Sequence, residues 1–402
     1  MYLGIDDTDS PEGMCTTYLG ALIAASLKEQ GCLIKNMRLI RLNPNVPWKT
    51  RGNAGVCIEL DGDAGLIRDT ACDFIERYAQ FDCSNTNPGF VLVAEKPSPD
   101  FYYKALRSFC TVEEAEAELK NLRAEYCGWK NRRGLIGALA AVSAVLPDKT
   151  CEYLSYRMPE AFGTPRVYDA ASFKRSAEET SPHTWDTWDF SADKPVCLPH
   201  GKDPVLFGIR GESPECVEKA VSLVSAEPES MHVIWETNQG TDAHLVPFEG
   251  EFTEGVSYVY SGEVTGVPVE HRGGHVSVPL TDVECYAFEP TKSFRAYVRQ
   301  LIPGDKITVC GGYLNGVLHF EKFSLDEASP LESRISPRCP VCGGRMTSAG
   351  RGKGYKCREC SARIREPQYI PRDISPGWYE VPPDARRHLA KPVVRMGGSD
   401  GE

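Results

Sequence analysis

Apolar positions follow two rhythms along the first 155 residues. Short runs at 37–42 (MRLIRL), 56–60 and 89–94 read as strands, while Leu19, Leu22, Ile23 and Leu27 recur at helical spacing until Gly31 ends the pattern. Residues 66–78, 101–109, 112–125 and 135–145 carry further helical periodicity. Strands alternating with helices predict an α/β or α+β domain of mixed sheet over 1–158. The rhythm then breaks at Pro159, Pro165, Pro182 and Pro195. It resumes as strand–helix–strand over 205–236, one half of a ferredoxin-like βαββαβ unit, so a second domain is expected over 159–250. Five short strands between 257 and 323, with glycine-rich corners, suit a small OB-type barrel over 251–330. A cysteine-rich module over 331–375 and a tail over 376–402 complete this multidomain α+β order. Past Val394 the chain is expected to be disordered.

Composition narrows the class. At 402 residues, 41% hydrophobic and 25% charged, the chain reads as globular, with roughly two to four domains. The longest apolar run, 135–146, is too short to span a bilayer, so no membrane partner is expected. No secretory signal is expected either, because Met1 leads directly into a strand. Of sixteen cysteines, most are scattered singly among apolar neighbours (Cys57, Cys72, Cys216 and Cys310 are examples), which predicts reduced thiols in a cytoplasmic protein. A net charge of −11, taken alone, argues against nucleic acid.

Candidate chemistry begins at residue 6. Asp6, Asp7 and Asp9 follow the strand start Tyr2-Leu3-Gly4-Ile5, and a predicted helix with Thr16 and Thr17 in its first turn comes next. Clustered carboxylates destabilise one another unless a cation neutralises them, and Mg²⁺ with substrate phosphates would serve. An acidic, solvated turn capping the helix explains the same residues equally well. The loop Lys49-Thr50-Arg51-Gly52-Asn53 offers two cations, a hydroxyl and an amide, and the loop 129–134 places Arg132, Arg133 and Gly134 before a helix. Either suits phosphate, and either alone reads as a solvated basic loop. With an acidic metal site in the same domain, they suggest one nucleotide pocket built from Lys49, Arg51, Asn53 and Arg133. The run Trp185-Asp186-Thr187-Trp188-Asp189 reads as packing first and as a cation-binding surface second. The polar stretch 237–244 (TNQGTDAH) reads as a recognition loop.

The C-terminal module is more specific. Cys339 and Cys342 are separated by fourteen residues from the pair Cys357 and Cys360, the pattern of a structural Cys₄ zinc ribbon. Between 334 and 372 ten Lys or Arg face two Glu, so this module is expected to be a local polyanion-binding surface on an acidic protein.

Long motifs then bring a family into view. GIDDTDS at 4–10, GMCTTYLG at 13–20, RLIRLNPNVPWKTRGN at 38–53, RGLIGALAAV at 133–142, PHGKDPVLFGIRG at 199–211 and ETNQGTDAH at 236–244 together resemble the archaeal tRNA-Ile agmatidine synthetases. The resemblance covers nearly the whole chain. It implies an ATP-dependent ligase that joins agmatine to the wobble cytidine of the AUA-decoding, CAU-anticodon isoleucine tRNA, with ATP going to AMP and two phosphates. It implies a kinase-like N-terminal domain in which Asp6, Asp7 and Asp9 hold Mg²⁺ and ATP and Thr16 receives a phosphoryl group. Agmatine needs carboxylates, for which Asp186, Asp189 and Asp242 are candidates by residue type. A monomer is expected. The rival reading is a non-catalytic RNA- or ssDNA-binding adaptor using barrel and ribbon, which leaves the three aspartates beside Thr16 without a task. A small-molecule kinase would leave the ribbon unexplained.

Overall fold

The structure, a computed structural model, describes residues 1–49, 52–329, 333–350, 352–366, 368–370, 372, 374–397. The expectation for Arg51 therefore lies outside the described residues. Two compact units emerge: Met1–Val259 with Cys310–Glu321 and Glu380–Glu402, and Tyr260–Val309 with Lys322–Tyr379.

The first unit opens with β1 (Tyr2–Asp6), α1 (Thr16–Glu29), β2 (Leu33–Arg41), β3 (Ala54–Asp61), α2 (Ala64–Tyr78), β4 (Gly89–Val93), α3 (Asp100–Arg107), α4 (Val112–Asn121), β5 (Glu125–Gly128) and α5 (Gly134–Ser143). It continues with β6 (Thr150–Arg157), α6 (Ala170–Thr180), β7 (Thr184–Trp185), β8 (Trp188–Asp189), β9 (Lys194–Pro195), β10 (Val205–Gly211), α7 (Pro214–Ser222) and β11 (Glu229–Thr237). Nine of these strands form one sheet in the order β5-β4-β1-β3-β2-β11-β6-β10-β7. β3 lies between β1 and β2, and β1 between β3 and β4, antiparallel in each case, so two split βαβ crossovers interlock. Leu3 and Ile5 join the core beneath α1 and α2, whereas Val91 and Val93 join the core beneath α3, α4 and α5. β4 (GFVLV) is buried at every position because helices cover both of its faces.

α5 fits against the sheet through missing side chains. A Cβ on Gly4 would lie 2.2 Å from the Ala138 carbonyl, and one on Gly89 would lie 2.4 Å from the Leu135 nitrogen. Only glycine lets helix and strand backbones approach so closely. This contact fixes the start of α5 over the end of β1.

The second half of the sheet begins at β6, flanked by β10 and β11, and joins the first half through a short parallel pairing of β11 with β2. The stretch 237–244 does not behave as a recognition loop. Thr237, Asn238, Gln239 and His244 are buried. Asn238 accepts the Arg41 N–H at 2.8 Å and donates to the Arg41 carbonyl at 2.9 Å, extending the ladder by a side chain. A loop dense in polar groups can be buried when it satisfies backbone in this way.

In the second unit, strands Val269–Glu270, Val276–Pro279 and Glu284–Ala287 pair in sequence, with Phe294–Val298 as a short helix. Their sheet is ordered from edge to edge rather than as a ring. Arg372 grips the buried Asp305 with two nitrogens at 2.7 and 2.8 Å. Past Val394, where disorder was expected, Arg395 is held in the first unit by Glu212 at 2.5 Å and Asp148 at 3.1 Å. Charge pairing orders a residue whose surrounding composition suggested otherwise. No helix among the described residues is long and apolar enough to cross a membrane.

Candidate active site

Side-chain alternation along β1 positions the first aspartate. Leu3 and Ile5 point into one core, so Gly4 and Asp6 face the other way, towards α5. The Asp6 carboxylate occupies the place a side chain on Gly137 would take: a Cβ there would sit 1.8 Å from Oδ2. Asp7 then turns the chain with φ 58°, a conformation Asp tolerates better than most residues. Its carboxylate accepts from Arg133 Nη2 at 3.0 Å, and the same nitrogen donates to the Asn85 carbonyl at 2.8 Å. Burial pushes the Asp6 carboxyl well above its usual value, and the Asp7 charge adds to this. Burial raises Asp7 to about 6 although Arg133 opposes it.

Asp6, Asp7, Asp9, Lys49, Asn53 and Arg133 line one cleft of about 640 Å³, with Trp48 and Ile136 among its walls. Segments distant in sequence converge there. Asn53 donates to the Asn43 carbonyl at 3.1 Å, which fixes the amide at the rim. The Lys49 ammonium rests on the Pro44 carbonyl. Among the described residues the oxygens of the three aspartates do not gather within 4.8 Å of one another, whereas the four ribbon sulfurs do. The aspartates thus present hard oxygen ligands along a wall. That suits a cation sharing its shell with phosphate and water better than an all-protein cage.

Asp9 also lines a second cavity of about 980 Å³, together with Thr16, Arg41, Glu152, Asp203, Arg210 and His388. Thr16 is the first residue of α1 and is 6% exposed. Its Oγ1 accepts from the Thr8 hydroxyl at 3.1 Å and lies 3.4 Å from the Thr8 nitrogen, which ties it to the aspartate loop. Glu152 is buried on β6 and accepts from Gln239 at 2.6 Å and Arg210 at 3.1 Å. Asp203 is 4% exposed and accepts the Val205 N–H at 3.1 Å.

The remaining candidates lie elsewhere. Asp186 is clasped by Arg210 and Arg386. Asp189 is buried and accepts from Ser191 and Ala192. Asp242 accepts the Lys391 N–H at 2.7 Å. None of the three is among the residues lining either cavity. Trp185 and Trp188 are buried, the packing role expected first. Sequence reasoning passed over Arg41, Glu152, Asp203, Arg210 and His388. The available signal was a lone charge inside an apolar strand, as with Glu152 in TCEYLSYR and Arg210 in VLFGIRG.

In the ribbon, Cys339 Sγ lies 3.3 Å from Cys360 Sγ, and Cys342 Sγ lies 3.5 Å from Cys357 Sγ. Sulfurs about 2.3 Å from a shared tetrahedral zinc are spaced like this.

Three family models match the chain: the TiaS TCKD domain over residues 2–67, the TiaS FLD domain over 132–244, and the TiaS C-terminal zinc ribbon domain over 336–374. TiaS of Methanocorpusculum labreanum, a 2-agmatinylcytidine synthetase acting on an isoleucine tRNA, is 56% identical over 402 residues, covering 98% of this chain and 97% of the relative. The TiaS of Archaeoglobus fulgidus is 43% identical over 413 residues, with coverage of 98% and 97%. A solved complex of TiaS with its isoleucine tRNA, AMPCPP and agmatine is 39% identical with a TM-score of 0.86, covering 100% of this chain and 98% of that one. A ZRD-deleted TiaS in complex with agmatine is 33% identical with a TM-score of 0.79, covering 100% and 98%.

Proposed function

The chain belongs to the TiaS family of 2-agmatinylcytidine synthetases of isoleucine tRNA, and from that premise we infer how its two cavities divide the work. The enzyme is an ATP-using ligase that attaches agmatine to the wobble cytidine of that tRNA. A carbonyl oxygen at C2 of cytosine is a poor leaving group. Phosphorylating that oxygen makes it a good one. The primary amine of agmatine then forms the new C–N bond at C2, the C–O bond breaks, phosphate departs with the oxygen, and the amine loses a proton. In this reading ATP goes to AMP and two phosphates: one leaves with the C2 oxygen, and water takes the other from phospho-Thr16, which restores the hydroxyl.

The aspartate cleft takes the triphosphate. The observation carrying this assignment is the convergence of Asp6, Asp7 and Asp9 with Lys49, Asn53 and Arg133 on one concavity. Mg²⁺ bound along Asp6, Asp7 and Asp9 would neutralise phosphate charge. Arg51, on the same loop as Lys49, belongs to the assignment by residue type alone. Thr16 is the phosphoryl acceptor: its hydroxyl opens the second cavity, and Asp9 lines both. A phosphoryl group there would meet the positive end of α1. Agmatine enters the second cavity, with Asp203 as the carboxylate for its guanidinium in place of Asp186, Asp189 and Asp242, none of which lines that cavity. The target base leaves the anticodon stack to reach this site.

Zinc on Cys339, Cys342, Cys357 and Cys360 would fold the basic ribbon, which grips tRNA. The domain division stays 1–158 (kinase-like), 159–250 (ferredoxin-like), 251–330, 331–375 and 376–402. We assign the protein to the cytoplasm, as a monomer. Asp6→Ala should abolish agmatine transfer while tRNA binding and melting temperature stay near wild type. Retained transfer would remove Asp6 from the chemistry.

A further inference from the structure

His388 stands at a junction no motif announced. It lines the Thr16 cavity and also a third cavity of about 680 Å³ with Arg41, Lys49, Asn53 and Arg387. Gly52 lines both of these and the aspartate cleft as well. The segment is pinned at this spot: the His388 carbonyl accepts the Gly240 N–H and the Leu389 carbonyl accepts the Asp242 N–H, each at 2.8 Å.

One hydrogen bond settles the imidazole. Arg210 Nη2 donates to His388 Nδ1 at 2.8 Å. A guanidinium has donors only, so Nδ1 is the acceptor and the ring proton resides on Nε2. That nitrogen faces Gly52, where an added Cβ would lie 3.2 Å from it. Arg41 Nη1 faces the same point, 2.7 Å from that position. Burial, with Arg41, Arg210 and Lys49 nearby, pushes the imidazole well below its usual value. Glu152, a carboxylate of the same cavity wall, is already matched by Arg210 and Gln239. An uncharged donor among cations suits an anionic oxygen.

We propose that His388 Nε2–H holds a phosphoryl oxygen at the Gly52 junction beside Thr16. The inference rests on the phosphoryl-transfer reading above. Two sources supply the same chemistry: the group derived from ATP, or a phosphodiester of the RNA strand flanking the target nucleotide.

His388→Phe and His388→Gln in the full chain test it, because the glutamine amide N–H replaces the Nε2 donor and phenylalanine does not. The donor's loss should cost roughly 10- to 100-fold. If the oxygen comes from ATP, His388→Phe lowers kcat and the labelling of Thr16 by ATP alone, with KM for tRNA unchanged. If it comes from RNA, KM for tRNA rises while kcat and Thr16 labelling hold. In either case His388→Gln recovers most of the loss at an unchanged melting temperature. Wild-type kinetics in His388→Phe, or equal loss in both variants, would overturn the proposal. A wild-type enzyme that transfers no agmatine would instead overturn the reading beneath it.

Discussion

Substituting Gly137 by alanine should separate stability from activity. On helix propensity alone the change favours α5 by about 1 kcal/mol. The new Cβ would stand 1.8 Å from Asp6 Oδ2 and 2.5 Å from Cγ, and ordinary contact begins at 3.4 Å, so the carboxylate oxygen must retreat by 3.4 − 1.8, or 1.6 Å. The atoms in the way all belong to the Asp6 side chain, the nearest being its carboxylate beside a cleft and the last its Cβ at 3.0 Å, so the fold can yield at modest cost. Catalysis cannot. Mg²⁺ demands ligands at about 2.0–2.1 Å, and a misplacement of about 1 Å costs on the order of 10²-fold. Gly137→Ala should therefore melt within a few degrees of wild type yet transfer agmatine at least about 100-fold more slowly. Gly4→Ala is the contrast, because its Cβ would meet the Ala138 carbonyl at 2.2 Å, where only backbone can move, and it should lose stability. Calorimetry and transfer of labelled agmatine read both variants. Full activity in Gly137→Ala would refute the placement of Asp6 at the reacting centre.

Other outcomes follow from the same geometry. The Asp7 carboxyl, raised to about 6, contributes stability below its unfolded value near 4 that disappears as pH rises through about 6, so Asp7→Asn should flatten the wild-type decline over that window in metal-free melts. Mg²⁺ must displace protons from this cluster, so it should raise the melting temperature more at about pH 7.5 than at about pH 5. Asp203→Asn should raise KM for agmatine roughly 10- to 100-fold and leave KM for ATP unchanged. Deleting 334–372, or stripping zinc, should weaken tRNA binding and flatten its salt dependence while agmatine binding persists; unaltered tRNA affinity would show the ribbon is no grip.

The acidic turn, the zinc ribbon and most strands of the first unit were legible because their signals are local: adjacent charges, cysteine spacing, periodicity. The second cavity was not. Arg210 and His388 meet across 178 positions, and Gln239 and Glu152 across 87. Nothing near Glu152 in sequence shows that a distant loop and the C-terminal segment will surround it. The stretch 237–244 misled for a related reason. Its side chains stand in for backbone ladder partners, which composition cannot distinguish from ligand-binding groups. Asp186, Asp189 and Asp242 are candidates by residue type alone, and the fold supplies each with a partner.

The most direct test is nucleoside mass spectrometry on the CAU-anticodon isoleucine tRNA after incubation with enzyme, ATP and agmatine. The wobble position should gain agmatine minus one water, only when ATP is present, and Asp6→Ala should leave it as cytidine. An unmodified cytidine with active wild-type protein, or modification that persists in Asp6→Ala, would contradict the assignment of this chemistry to the aspartate cleft.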